Sequence, residues 1–280
     1  MREESPLRTG RPVQPGDQRK ARGGTSAPWA WRGDLLYGRN AVFEALRGMR
    51  SAHRLLVAEH MRVDQRVTLI LQTADAKRIS ITRMPRSKLD ELTQGANHQG
   101  VALEVSTFPY VPLDVIIDRP GTVLVLDHLQ DPQNFGTLLR TAESCGVSGV
   151  IIPEDRAVAV TPAVVNASAG AVEYLRVAAV TNLSRALEEL KRAGWWVICL
   201  DSDTEASELF VTDLPEPLAL VVGAEGSGVG QHVRRRCDLV VRLPMLGRVA
   251  SLNAATAGSI VLYELLRRST RKNTNDPPLR

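Results

Sequence analysis

Apolar positions change their period several times along the chain, and each change marks an element. LLYGRNAVFEALRG (35–48) carries apolar side chains at helical spacing, with Val42, Leu46 and Met49 sharing a face with Ala45. RLLVAE (54–59) predicts a strand, VTLILQTADA (67–76) a helix and RISITRM (78–84) a strand. SKLDELTQ (87–94) predicts a short helix capped by Ser87, and GVALEVS (100–106) another strand. This alternation implies a small α/β domain over 34–106. Pro109, Pro112 and Pro120 then mark 107–120 as a linker.

From residue 121 the apolar runs become continuous, the pattern of strands buried on both faces of a parallel sheet. Strands are expected at 122–127, 149–153, 175–180, 195–200, 218–222 and 239–243. Helices are expected between and after them, at 134–145, 162–169, 182–193, 230–236 and 251–267. The order is that of an α/β domain with a mainly parallel sheet, over 121–268. Residues 1–33, rich in Arg, Gly, Pro and Ser without an apolar period, read as a disordered basic tail, and 269–280 as a second basic tail.

Composition narrows the classes. A chain of 280 residues with 44% hydrophobic content supports one large domain or two ordinary ones. No run reaches the roughly 18 apolar residues of a membrane helix, and no apolar leader stretch opens the chain, so a cytoplasmic location and no membrane partner are expected. Cys145, Cys199 and Cys237 are odd in number and show neither disulfide nor metal-ligand spacing, and the histidines are scattered; no metal is expected. The net charge of +4 lies in the tails: residues 1–34 hold seven Lys/Arg against four Asp/Glu, and 267–280 hold five against one. Such tails attract phosphate backbones without reading sequence, or are simply solvated ends. Aromatics, at 4%, offer no evident base-stacking platform.

Three segments carry candidate chemistry. In NFGTLLRTAESCG, Asn134 is placed to cap a helix, and Arg140 lies six residues on; both can reach the carboxyl end of the sheet, where open α/β folds bind ligands. Taken alone, they also read as a cap and a surface arginine. In VVGAEGSGVG, four glycines surround Glu225, allowing close approach of backbone to a ligand. In LPMLGRVASLNAATAG, Ser251 is a natural N-cap, and Ala254, Ala255, Ala257 and Gly258 permit close helix packing. Gly226, Gly228 and Gly230 form GxGxG rather than GxGxxG, with too little chain after them for a dinucleotide fold. GxxxxGK[ST] and GxSxG are both absent.

In this order the three segments resemble the signature motifs of the SpoU family of RNA ribose 2′-O-methyltransferases, within the knotted SPOUT superfamily. YGRNAVFEAL and NHQGVALEV are similar to the substrate-binding domain of bacterial large-subunit rRNA guanosine 2′-O-methyltransferases. RAVAVTPAVVNASAGAVEYL and the arginine run before Cys237 point to the same branch. The resemblance implies S-adenosylmethionine bound in a C-terminal trefoil knot, a homodimer whose two subunits complete each site, and 23S rRNA as partner. It implies Asn134, Arg140, Glu225 and Asn253 as the catalytic set. It implies Gly223, Ala224, Glu225, Gly226, Leu243, Met245, Ser251, Leu252 and Asn253 around the cofactor. Family members often carry Glu, Gln or Ser where this chain has Ala250. A tRNA or an rRNA adenosine is the alternative substrate, and a non-catalytic RNA-binding assembly factor the alternative class.

Overall fold

The computed structural model describes residues 33–155, 159–203, 205–248 and 251–275, the last five by backbone alone. The expectations for the N-terminal tail before residue 33, for 276–280 and for Ala250 lie outside the described residues, whereas 269–275, expected as part of a basic tail, continue the last helix, Ala254–Asn275.

The first sheet is built from β1 (Asp34–Tyr37), β2 (Ala52–Ala58), β3 (Ser80–Met84) and β4 (Val101–Val105) in the order β1-β4-β2-β3. β4 runs antiparallel to both neighbours, and β2 and β3 are parallel. Helices α1 (Arg39–Arg47), α2 (Gln65–Ala76) and α3 (Arg86–Leu92) complete this half. The helical reading of 35–48 therefore misses a strand. Leu36 is buried in β1, and Gly38, at φ 87°, breaks the strand and opens α1. Met49 lies beyond the helix and is 54% exposed, so it does not share the buried face. Ser87 lies inside α3; Pro85 occupies the cap position without a side-chain bond, contrary to the expected cap.

After α4 (Leu113–Ile117), whose Ile116 is buried, the second sheet begins. It comprises β5 (Thr122–Asp127), β6 (Gly149–Pro153), β7 (Val177–Val180), β8 (Trp196–Leu200), β9 (Ser207–Glu208), β10 (Leu218–Gly223) and β11 (Leu239–Arg242). Among the described residues its order is β7-β6-β5-β10-β8-β11-β9, and every neighbouring pair is parallel. All six residues of β10 are buried, as befits a central strand covered on both faces. The surrounding helices are α5 (Pro132–Ser144), α6 (Pro162–Ala167), α7 (Leu183–Arg192), α8 (Gln231–Arg234) and α9 (Ala254–Asn275), with a 3-10 turn at Ala171–Tyr174. In α7, Leu183, Ala186, Leu187 and Leu190 form the buried stripe, and Asn182 caps the helix through the Arg185 N–H. A single hydrophobic cluster runs from Leu36 and Val42 in the first half to Leu124 and Leu138 in the second, so the two sheets share a core.

Candidate active site

Insertion of β10 between β5 and β8 brings three loops to one end of the sheet. The first follows β5. Asp131, not Asn134, caps α5: its carboxylate accepts the N–H groups of Gln133 (3.1 Å) and Asn134 (3.2 Å), and Pro132 follows where a missing N–H costs nothing. Asn134 is thereby released from capping and projects its amide from the first turn, with 9% exposure.

The second loop follows β10. Ala224 and Gly228 exchange backbone hydrogen bonds of 3.1 and 2.9 Å, making a tight hairpin with Glu225 at its bend. Gly223 is obligatory there, because a Cβ would sit 2.1 Å from the Gly228 carbonyl carbon. Asp127, buried at the end of β5, accepts the Gly230 N–H at 2.7 Å and meets His128 Nδ1, tying down the far end of the loop.

The third loop precedes α9. Asn253, not Ser251, is the cap; its Oδ1 accepts the N–H groups of Ala255 (3.0 Å) and Thr256 (3.1 Å). That bond fixes the amide orientation and leaves Nδ2 to donate to Asn134 Oδ1 at 2.9 Å, and to Glu225 Oε1 at 3.4 Å. Asn134 Nδ2 in turn donates to Glu225 Oε2 at 3.0 Å. Both asparagines sit at helix N-termini, where the backbone dipole favours the Glu225 carboxylate. The structure thus joins three of the four expected catalytic residues in one hydrogen-bonded set.

Arg140 stands apart from that set. Six residues along α5 correspond to about 9 Å of rise and about 240° of rotation from Asn134, so the two residues occupy different sides of the helix. Its guanidinium is exposed and bonds to none of the described residues.

Beside the triad lies a cavity of about 660 Å³. Gly223, Ala224, Glu225, Gly226, Leu243, Met245, Ser251, Leu252 and Asn253, the nine expected cofactor neighbours, all line it. The sequence reading missed Leu200 at the end of β8, Asp201 and Ser202 just after it, and Arg242 at the end of β11, which line it as well. The signal was available: they follow parallel strands at the carboxyl edge, where α/β ligands sit. Asp201 is paired with Arg234 at 3.2 Å, and Arg242 Nε donates to the Ala206 carbonyl at 3.1 Å, so this wall is held rigid. The hydrogen bond from Arg234 lowers the Asp203 pKa and keeps that neighbouring carboxylate ionised. Glycine backbone, apolar Leu243, Met245 and Leu252, and polar Asp201, Ser202 and Asn253 suit a flat heteroaromatic nucleoside with polar substituents. Among the described residues, no cluster of three His, Cys, Asp or Glu could hold a metal ion, and no helix is long and apolar enough to cross a membrane.

Comparison with known proteins identifies the family. The SpoU rRNA Methylase family matches residues 121–263, and the family described as RNA 2'-O ribose methyltransferase substrate binding matches 35–111. The chain is 41% identical over 242 residues to YacO of Bacillus subtilis, assigned to the TrmH family of tRNA/rRNA methyltransferases, covering 84% of this chain and 96% of that protein. A TrmH-family relative from Staphylococcus haemolyticus is 39% identical, with 86% and 98% of the two chains covered. Among solved structures, the SpoU methyltransferase AviRb from Streptomyces viridochromogenes, in complex with AdoMet, superposes with a TM-score of 0.72 at 26% identity, covering 84% of this chain and 90% of that one.

Proposed function

The chain belongs to the SpoU rRNA methylase family, and on that premise we propose that it methylates a ribose 2′-hydroxyl, at a guanosine of 23S rRNA. As a SpoU methyltransferase it is an S-adenosylmethionine-dependent RNA methyltransferase. The observation that carries the proposal is the Asn134–Glu225–Asn253 set bordering a cavity lined by all nine residues expected around the cofactor.

When bound, S-adenosylmethionine supplies an electrophilic methyl sulfonium. The hairpin 223–228 and the residues before α9 hold that ligand by close backbone approach and apolar contact. Asn134 and Asn253 lock the Glu225 carboxylate, so the bend of the hairpin keeps one geometry at the cavity edge. Arg140 orients a substrate phosphate and stabilises negative charge developing on the 2′-oxygen as its proton passes to solvent water. A guanidinium does this as a permanent positive charge, through its planar fork of donors.

Arg140 shares its side of α5 with Thr137, which borders a groove of about 800 Å³ formed with Phe210, Ile260 and Tyr263. Phe210 and Tyr263 are exposed large side chains on that groove. This supports a homodimer in which the groove is covered and Arg140 serves the site across the interface. The family's trefoil knot in the C-terminal half, the division into domains at 34–106 and 121–268 and a cytoplasmic location belong to the same reading.

The test uses full-length protein, radiolabelled S-adenosylmethionine, and transcribed 23S rRNA, 16S rRNA and bulk tRNA. The expected product resists alkaline cleavage at one guanosine of 23S rRNA. Label on a base refutes ribose chemistry, and label confined to tRNA replaces the substrate.

A further inference from the structure

The segment from Pro162 to Leu175 is a wedge between the two halves of the protein. On one side it presses on α5: a Cβ at Gly136 would meet that of Ala167 at 2.4 Å. On the other side it grips the first half at separate points. Asn166 Nδ2 donates to the Tyr37 carbonyl at 3.0 Å, and the Tyr174 hydroxyl donates to Glu44 at 2.7 Å. Between these lies a charge pair with no solvent exposure on either side chain, Arg50 from the first half and Glu173 from the wedge. Arg50 Nη2 donates to Glu173 Oε1 at 2.7 Å, and Nε donates to both carboxylate oxygens at 3.0 and 3.1 Å. Nη1 is taken by Asp34 and by the Ser106 carbonyl, and the guanidinium lies 5.4 Å from the Phe108 ring.

Hydrophobic burial alone would join the halves, and a buried ion pair adds little net stability over apolar residues of similar volume. What the forked pair adds is direction, since planar guanidinium and carboxylate groups bond in few orientations. There is also no slack around it, because a Cβ at Gly48 would sit 2.7 Å from that of Glu173. The first half is therefore coupled through the wedge to α5, the helix that carries Asn134 and Arg140.

We propose that Arg50 and Glu173 are positioning residues, fixing residues 34–105 at one spacing and orientation to the cavity so that RNA held by the first half presents a single nucleotide to the site. The proposal rests on reading that site as an RNA ribose methyltransferase.

The experiment compares full-length wild type with Arg50→Met/Glu173→Met, which removes both buried charges and leaves only Asp34, whose side chain reaches solvent, without its arginine. Each is given S-adenosylmethionine with transcribed 23S rRNA, 16S rRNA and bulk tRNA, and the methylated nucleotides are mapped. In the variant, kcat should fall by roughly tenfold to a hundredfold, as misplacement by about an ångström does. Methyl marks should also spread to neighbouring nucleotides, while calorimetry shows unchanged S-adenosylmethionine affinity. If the double variant does not fold, Asn166→Ala/Tyr174→Phe loosens the same wedge from outside and takes the same readouts. Unchanged kcat at a single site overturns the inference, and so does a parallel loss of kcat and cofactor affinity, which marks general damage. A wild-type protein that methylates none of the RNAs overturns the methyltransferase reading and this inference together. An active wild type beside an equally active and accurate variant overturns this inference alone.

Discussion

Asn253 Nδ2 donates to Asn134 Oδ1 at 2.9 Å, joining the N-termini of two helices that lie 119 residues apart in sequence. Each amide also reaches Glu225, so a carboxylate at the bend of a glycine hairpin is held from two directions. Because Asn253 caps α9 with its oxygen and serves the triad with its nitrogen, the two roles separate by mutation.

Asn253→Asp keeps the capping oxygen, and Asp caps as well as Asn. It removes the donor and sets a second carboxylate against Glu225. The variant should melt near wild type but lose methyl transfer by about a hundredfold, the scale of a disturbed preorganised site. Asn253→Ala should in addition lose about 1 kcal/mol of stability with the cap. Thermal melts paired with rate measurements check both; an active Asn253→Asp enzyme would remove the triad from the reaction.

The Arg140 guanidinium is exposed and bonds to none of the described residues, so Arg140→Ala should change stability by less than about 0.5 kcal/mol. Methyl transfer should fall by about a hundredfold or more, with S-adenosylmethionine affinity retained. Arg140→Lys should also be impaired, since an ammonium lacks the planar fork. Full activity in Arg140→Ala defeats its assignment to the substrate ribose.

Much of the fold was legible because its strands are continuous apolar runs: β5, β6 and β10 fall where the pattern puts them. The first strand was lost because DLLY is too short to establish a period and runs straight into α1; Gly38 was the available mark. Two of the three displaced caps have one cause. Asn134 and Ser251 are good cap residues by type, but Asp131 followed by Pro132 and Asn253 followed by Ala254 hold the positions whose oxygens face the free N–H groups. The convergence of Asn134, Glu225 and Asn253 was not readable from spacing, since it depends on β10 pairing between β5 and β8. The Arg50–Glu173 pair, 123 residues apart, left no local trace either.

Gly223→Ala tests the hairpin directly. The added methyl would lie 2.1 and 2.2 Å from the carbonyl carbon and oxygen of Gly228, both backbone atoms that no rotamer can move. Overpacking of this kind costs about 1–3 kcal/mol. The displaced hairpin should weaken S-adenosylmethionine binding more than it lowers the melting temperature. Calorimetry showing wild-type affinity in a folded Gly223→Ala protein would separate the hairpin from the cofactor.

Glu264 gives a pH prediction at the other face of α9. Hydrogen bonds from Arg267 and then Arg268 lower its pKa from the ordinary 4.5 to about 2. Arg268 also donates to the Thr212 and Leu209 carbonyls, so this cluster pins the segment after β9 to α9. A carboxylate whose folded pKa is depressed stabilises the protein fully above its unfolded value, and the contribution is lost as pH falls through the folded one. The stability advantage of wild type over Glu264→Gln should therefore be constant above pH 4.5, shrink below it and vanish near pH 2. Denaturant unfolding of both proteins between neutral pH and pH 2 measures the difference, and an advantage that does not change with pH would show that Glu264 acts through packing rather than charge.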